Sequence, residues 1–215
     1  MANLSHITRC GLPGIEWVPF GMHACHFYSS SDQLVATLVP YTLAGLRGNE
    51  RCLWVTAPLL PAREAVQALR AACDDVDDAI QAGALRILDS ARLKGLDVVQ
   101  LWLDEEERAL AEGYNGLRIA GDTRFLTAGD WSTFMEYERA VTARCNGRRI
   151  VTLCSCALAQ CNDQQMSEVM HADHCALERL DACWQVFAVP SFLGTLRAGG
   201  DLIEMGVESQ GDSHD

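Results

Sequence analysis

Six short apolar runs punctuate the chain, and between them apolar residues recur every three or four positions. The runs are 23–28 (HACHFY), 52–57 (CLWVTA), 84–89 (ALRILD), 116–120 (GLRIA), 149–156 (RIVTLCSC) and 184–189 (WQVFAV). They are short, rich in β-branched or aromatic residues and bounded by turn formers, so they predict strands. The intervening stretches predict helices. Asp32 reads as the N-cap of one that carries Leu34, Leu38, Tyr41 and Leu46 toward Gly45 and Gly48. The segment 61–73 starts on Pro61 and spaces Val66, Leu69 and Cys73 at helical intervals. In 97–112, Val98, Leu101, Trp102 and Leu110 form one side, the acidic run 104–107 the other, and Gly113 the stop. Asp130 caps a fourth helix with Trp131, Phe134, Tyr137, Val141 and Cys145 in register, and 164–177 reads as a fifth.

Strand–helix alternation with nearly continuous apolar strands predicts an α/β fold, a mostly parallel central sheet with helices on both faces. Ligands of such sheets bind at the carboxyl ends of the strands. Here those ends are 28–31, 56–58, 89–90, 121–124 and 154–161. Residues 1–20 read as a loosely attached N-terminal extension, 21–190 as the folded domain, and 191–215, rich in Gly, Asp and Ser from Gly199, as a C-terminal helix and acidic flexible tail.

Composition narrows the partners. The 215 residues carry 29 acidic and 17 basic side chains, a formal net charge of −12. That charge repels phosphate backbones and anionic lipid, so direct nucleic-acid or membrane binding is not expected. The opening sequence has no secretory signal pattern and no run reaches membrane-spanning length, which predicts a cytoplasmic protein. Ten cysteines are many, yet in a reducing compartment they read as core residues, metal ligands or redox sensors rather than bridges.

Several groups could carry chemistry. Tyr28, Ser29 and Ser30 stand where a nucleotide-binding sheet places its phosphate loop, but GxxxxGK[ST] is absent. The serines either cap a helix or hold an anion through hydroxyls and backbone N–H groups. His23 and Cys25 share a strand face with His26 opposite, and His171, His174 and Cys175 would share a helix face. Imidazole and thiolate suit zinc or copper, whereas buried, hydrogen-bonded histidines and small apolar cysteines are the plainer reading. Cys154, Cys156 and Cys161 cluster at a strand end without a C-x-x-C pair. Arg118, in an otherwise apolar strand, needs an acidic partner such as Asp122, Glu136 or Glu138. It either ties strand to helix or reaches the strand-end cleft with Asp122. No Ser-His-Asp order or G-x-S-x-G elbow supports hydrolysis.

The pieces HACHFYSSSDQLVATLVPYTLAGLRGNERCLWVTA, DDAIQAGALRILD, GYNGLRIAGDTRFL, DWSTFMEYERAV and RIVTLCSCALAQC, ending with His174, resemble the MEDS family of methanogen and methylotroph sensory domains in order and spacing. The resemblance implies a degenerate relative of the RecA/KaiC ATPases without an intact P-loop, and hence no bound nucleotide. It also implies sensing of a small ligand, such as a one-carbon or other organic metabolite. Positions matching the family pattern are His23, Tyr28, Gly45, Arg118, Gly121, Trp131, Tyr137, Glu138, Cys154, Cys161 and His174. Cys156 departs from an expected aromatic, and Cys175 and Cys183 are additional thiols.

The leading expectation is therefore a non-enzymatic sensory domain that signals through a regulatory partner, a kinase or transcription factor. Its ligand site would draw on His23, Tyr28, Ser29, Ser30, Arg118, Asp122, Trp131 and Glu138. A metal or redox input would use Cys25, Cys154, Cys156, Cys161, His171, His174 and Cys175. Homo-oligomerisation is implied by analogy with RecA-like sheets. The alternatives are a divergent RecA/KaiC-type ATPase and a regulator acting by protein contact alone.

Overall fold

The computed structural model describes residues 6–56, 58–122, 130–180 and 183–188. The elements run β1 (Ile7–Leu12), β2 (Ile15–Pro19), β3 (His23–Tyr28), α1 (Ser31–Arg47), β4 (Arg51–Thr56), α2 (Ala62–Ala72), α3 (Val76–Gln81), β5 (Leu85–Asp89), α4 (Val98–Ala111), β6 (Leu117–Asp122), α5 (Trp131–Cys145), β7 (Ile150–Ala157), α6 (Asp163–Ala172), β8 (Cys175–Leu180) and β9 (Cys183–Ala188). A seven-stranded sheet has the order β5-β4-β6-β7-β3-β8-β9, parallel except where β9 returns antiparallel along β8. The α/β expectation holds. Every residue of β4, β6 and β7 is buried, as strands covered on both faces must be.

Side-chain alternation divides two cores. On one face Ala24, Cys52, Trp54, Leu85, Ala120, Val151 and Leu153 pack with α1, α2, α3 and the β1–β2 hairpin. On the other, Leu53, Val55, Leu117, Ile119 and Ile150 pack with Trp102 of α4 and Val141 of α5, and Cys25, Cys156 and Ala176 pack with Phe134 of α5 and Val169 of α6.

Three expectations are corrected. Residues 6–20 are no loose extension, because β1 and β2 pair antiparallel and bury Cys10, Leu12, Ile15 and Val18. Gly11, at φ +88°, lets the hairpin lie on α1: a Cβ there would stand 2.4 Å from the Pro40 carbonyl oxygen. Second, the helix at 164–177 stops at Ala172, and Cys175 begins β8 beside Ala24 of β3. Third, the acidic side of α4 is only partly solvated. Glu105 is buried against Arg86, Arg108 and Arg51, and Glu106 against Arg148. The expected C-terminal helix and tail, 191–215, lie outside the described residues.

Local signals placed the helices. Asp130 caps α5 as read from sequence, and Asp97, where the expected helix 97–112 begins, caps α4; both side chains accept backbone N–H groups. The cap of α1 is Ser30 rather than Asp32, its hydroxyl accepting from the Gln33 N–H at 3.3 Å. No helix among the described residues is long and apolar enough to cross a membrane.

Candidate functional site

Where β3, β7, α5 and α6 meet, four ionisable side chains are sealed from solvent. His23 opens β3, Cys154 lies in β7, Glu138 projects from the middle of α5, and Asp173 follows the last turn of α6. None is more than 5% exposed. The β3–β7 register sets Cys25 beside Cys154, so His23, Cys25 and Cys154 share the face beneath α5.

The geometry is tight. His23 Nε2 lies 3.1 Å from Cys154 Sγ and 3.2 Å from Glu138 Oε2. Its Nδ1 lies 2.8 Å from Thr142 Oγ1 and 3.4 Å from Asp173 Oδ1. The Thr142 hydroxyl donates at 2.7 Å to the Ala172 carbonyl, which uses its single proton. Thr142 must then accept from His23, so Nδ1 carries a proton; Nε2 meets Cys154 and Glu138 as a lone pair when the ring is neutral and as a donor to Glu138 when it is protonated.

The carboxylates stand out. Among the described residues, Glu138 and Asp173 have no well-formed hydrogen bond to their carboxylate oxygens, and the one imidazole of His23 stands beside both, at 3.2 and 3.4 Å. Burial pushes the Asp173 carboxyl well above its usual range; His23 opposes that shift and Glu138 adds to it. Burial disfavours charge on His23, but Asp173 and Glu138 together outweigh it and raise its basicity. Burial, reinforced by nearby Glu138 and Asp173, holds the Cys154 thiol well up, and burial with Asp173 does the same for Cys25. As free thiols these are protonated and poorly nucleophilic at neutral pH.

Other expected site residues are distributed elsewhere. His174 braces β3: the His23 backbone N–H donates to His174 Nδ1 at 3.1 Å, and the His174 N–H donates to the His23 carbonyl at 2.9 Å. His171 stays on exposed α6, with Nδ1 2.6 Å from the Ser167 carbonyl. Cys175 belongs to the opposite core, where burial pushes its thiol up. His171, His174 and Cys175 therefore share no helix face. Cys161 is half-buried after a 3-10 turn, and Cys156 packs with Phe134 and Val169.

Arg118 does not reach the strand-end cleft, nor does it pair with Asp122, Glu136 or Glu138. Its Nε donates to Glu50 Oε2 at 2.7 Å, and the remaining guanidinium nitrogens donate to the carbonyls of Arg9, Cys10 and Tyr41 and to Thr8 and Glu50 Oε1. Gly45 makes room for it, since a Cβ there would stand 2.5 Å from Arg118 Nε. At the strand ends, Tyr28 donates to Asp122 at 2.8 Å. Ser29 bonds Gln33 through both its N–H and hydroxyl, which with the Ser30 cap makes this a closed helix start. The Trp131 indole N–H donates to Glu168 at 2.6 Å. The adjoining segment 123–129 lies outside the described residues.

Sequence reasoning placed His23 and Glu138 in one ligand site and Cys154 in a metal or redox site, and missed Asp173 and Thr142. Asp173 lies between two histidines in the motif HADHC, the one local sign of a polar junction.

No curated protein matches the chain. Among solved structures, the flagellar accessory protein FlaH from Methanocaldococcus jannaschii superposes with a TM-score of 0.55 over 81% of each chain at 13% identity. That likeness shows a shared RecA-like fold. The family model described as MEthanogen/methylotroph, DcmR Sensory domain matches residues 22–172, a span running from the residue before His23 to the end of α6. The chain belongs to the MEDS family of sensory domains.

Proposed function

We propose that this chain is a non-enzymatic sensory module that receives a small ligand at the buried His23 centre and passes the event to a protein partner. The observation that carries this reading is the pair of buried carboxylates, Glu138 and Asp173, that share one imidazole and have no well-formed hydrogen bond among the described residues. Buried polar groups are almost always satisfied, so two carboxylates left to share one imidazole support a place kept for a further group. The centre is also coupled to the fold. Asp173 and His174 form the junction between α6 and β8, and β8 meets β3 at only three registered pairs, Ala24–Cys175, Cys25–Ala176 and His26–Leu177. A ligand that binds one arrangement of this junction better than another shifts the population of β8 and β9, which is all that a sensor requires.

The ATPase alternative draws less support. Ser29, Ser30 and Gln33 already occupy one another at the start of α1, and Asp122, at the end of β6 beyond β7, holds a carboxylate against Tyr28. Native mass spectrometry of the freshly purified protein, set against its denatured mass, tests the sensory reading. The expected result is a small mass excess in the wild type that disappears on denaturation and in Glu138→Gln. A bare native mass for the wild-type chain overturns it.

A further inference from the structure

We infer that the His23 centre is a site for one divalent transition-metal ion of the zinc class, ligated by His23 Nε2, Cys154 Sγ and a Glu138 carboxylate oxygen. The inference rests on the sensory reading of this same centre and names its ligand. The donor atoms of the three residues lie within 4.8 Å of one another, and all three residues are buried. Around a tetrahedral zinc, nitrogen–sulfur and nitrogen–oxygen ligand pairs stand about 3.4–3.6 Å apart, given bonds of about 2.0–2.3 Å. The observed separations from Nε2, 3.1 Å to sulfur and 3.2 Å to oxygen, need to open by only a few tenths of an ångström.

The tautomer agrees. Because Thr142 spends its proton on the Ala172 carbonyl, His23 donates from Nδ1, and the Nε2 lone pair faces the two other ligands. A lone pair turned toward a carboxylate is repulsive until a cation stands between them, a proton in the empty protein and the metal ion that displaces it on binding. On the far side of the ring, Nδ1 donates to Thr142, which orients the imidazole, and Asp173 Oδ1 stands 3.4 Å away, where its charge favours a ring that binds a cation. Asp173 and Thr142 are thus positioning residues and not ligands.

The donor set selects the class. Calcium and magnesium take oxygen ligands, whereas one imidazole, one thiolate and one carboxylate form a mixed set suited to zinc. Three protein ligands leave a fourth position for water or a small anion. On binding, the Cys154 thiol gives its proton to solvent and sulfur joins the metal as thiolate. A groove of about 540 Å³ between α5 and α6 comes within one residue of the centre, through Thr142. Thr142 lies on its floor, and His171 and Glu168 stand on its α6 wall.

The test is an anaerobic titration of reduced, chelator-treated full-length protein with Co²⁺, followed by displacement with Zn²⁺. The expected result is one equivalent bound, with a thiolate-to-cobalt charge-transfer band that zinc removes. Cys154→Ser should lose the band while circular dichroism shows an intact fold. Asp173→Asn should keep the band and weaken zinc binding about 10–100-fold, which a merely structural role would not produce. No band and no stoichiometric binding by folded wild-type protein overturns the metal inference; an organic passenger in the native mass would then leave the sensory reading standing. A full cobalt site whose filling leaves amide exchange across Asp173–Leu180 unchanged would uphold the metal and remove the sensory reading.

Discussion

Two buried charged clusters lie on opposite faces of one sheet, and they are built on opposite rules. On the α1 face, Arg118 is saturated. Glu50 meets it with both carboxylate oxygens, and three backbone carbonyls and the Thr8 hydroxyl take its other N–H bonds. On the α5 face, Glu138 and Asp173 bring two carboxylates to one imidazole, with no well-formed hydrogen bond to either among the described residues. A saturated cluster has nothing left to offer a ligand and serves the fold. An unsaturated one lowers the stability of the empty protein and keeps its capacity for something that arrives later.

The largest effect should come from breaking the saturated side. Arg118→Met removes one partner of a buried pair and leaves Glu50 charged in the core, a loss of about 3–5 kcal/mol in urea unfolding. A loss below about 1 kcal/mol would mean that Glu50 finds water or another donor, and the contrast between the faces would collapse.

The histidines sharpen the comparison next. His26, on the α1 face, has hydroxyl neighbours in Thr37 and Ser155 and an edge contact with Trp184, and burial pushes its pKa down to about 4. An unfolded histidine takes its proton near 6.5. Between those values the unfolded chain binds more protons, so stability falls as pH drops from about 6.5 to 4, by about 3 kcal/mol. Chemical denaturation across that window in wild type and His26→Gln should show a shallower pH slope in the variant. Equal slopes would refute the assignment.

The smallest effect carries the opposite sign. In metal-free protein, Glu138→Gln removes a buried charge and supplies amide donors beside Asp173, so stability should rise by about 1 kcal/mol. Differential scanning calorimetry of the chelator-treated proteins decides it: a lower melting temperature for the variant would show that Glu138 is satisfied in the empty state after all.

The sequence made much of the scaffold legible because its signals there are local. The strand at 23–28 and the Asp97 and Asp130 caps were set by neighbours within a few residues. The β1–β2 hairpin was hidden because Thr8, Cys10 and Leu12 alternate only weakly with polar residues, and their burial depends on α1. β8 read as helix because Val169, Ala172 and Ala176 keep helical spacing through the break at Asp173. The partner of Arg118 was missed because Glu50 lies 68 residues away, just past the end of α1, and only the packing of that helix on the sheet joins them. The His23 centre is likewise tertiary: 131 residues separate His23 from Cys154, and register alone brings them together.

The Arg118 network also fixes an order of events during synthesis. The carbonyls of Arg9 and Cys10 wait for a guanidinium 109 and 108 residues downstream. At about 5–20 residues per second, the ribosome delivers Arg118 roughly 5–20 s after it has made the hairpin. For that interval α1 can shelter the hairpin's apolar side, but Glu50 has no cation to meet. The first strands translated are therefore locked only after more than half of the chain has been made, and a nascent chain stalled before residue 118 would hold them by apolar contact alone.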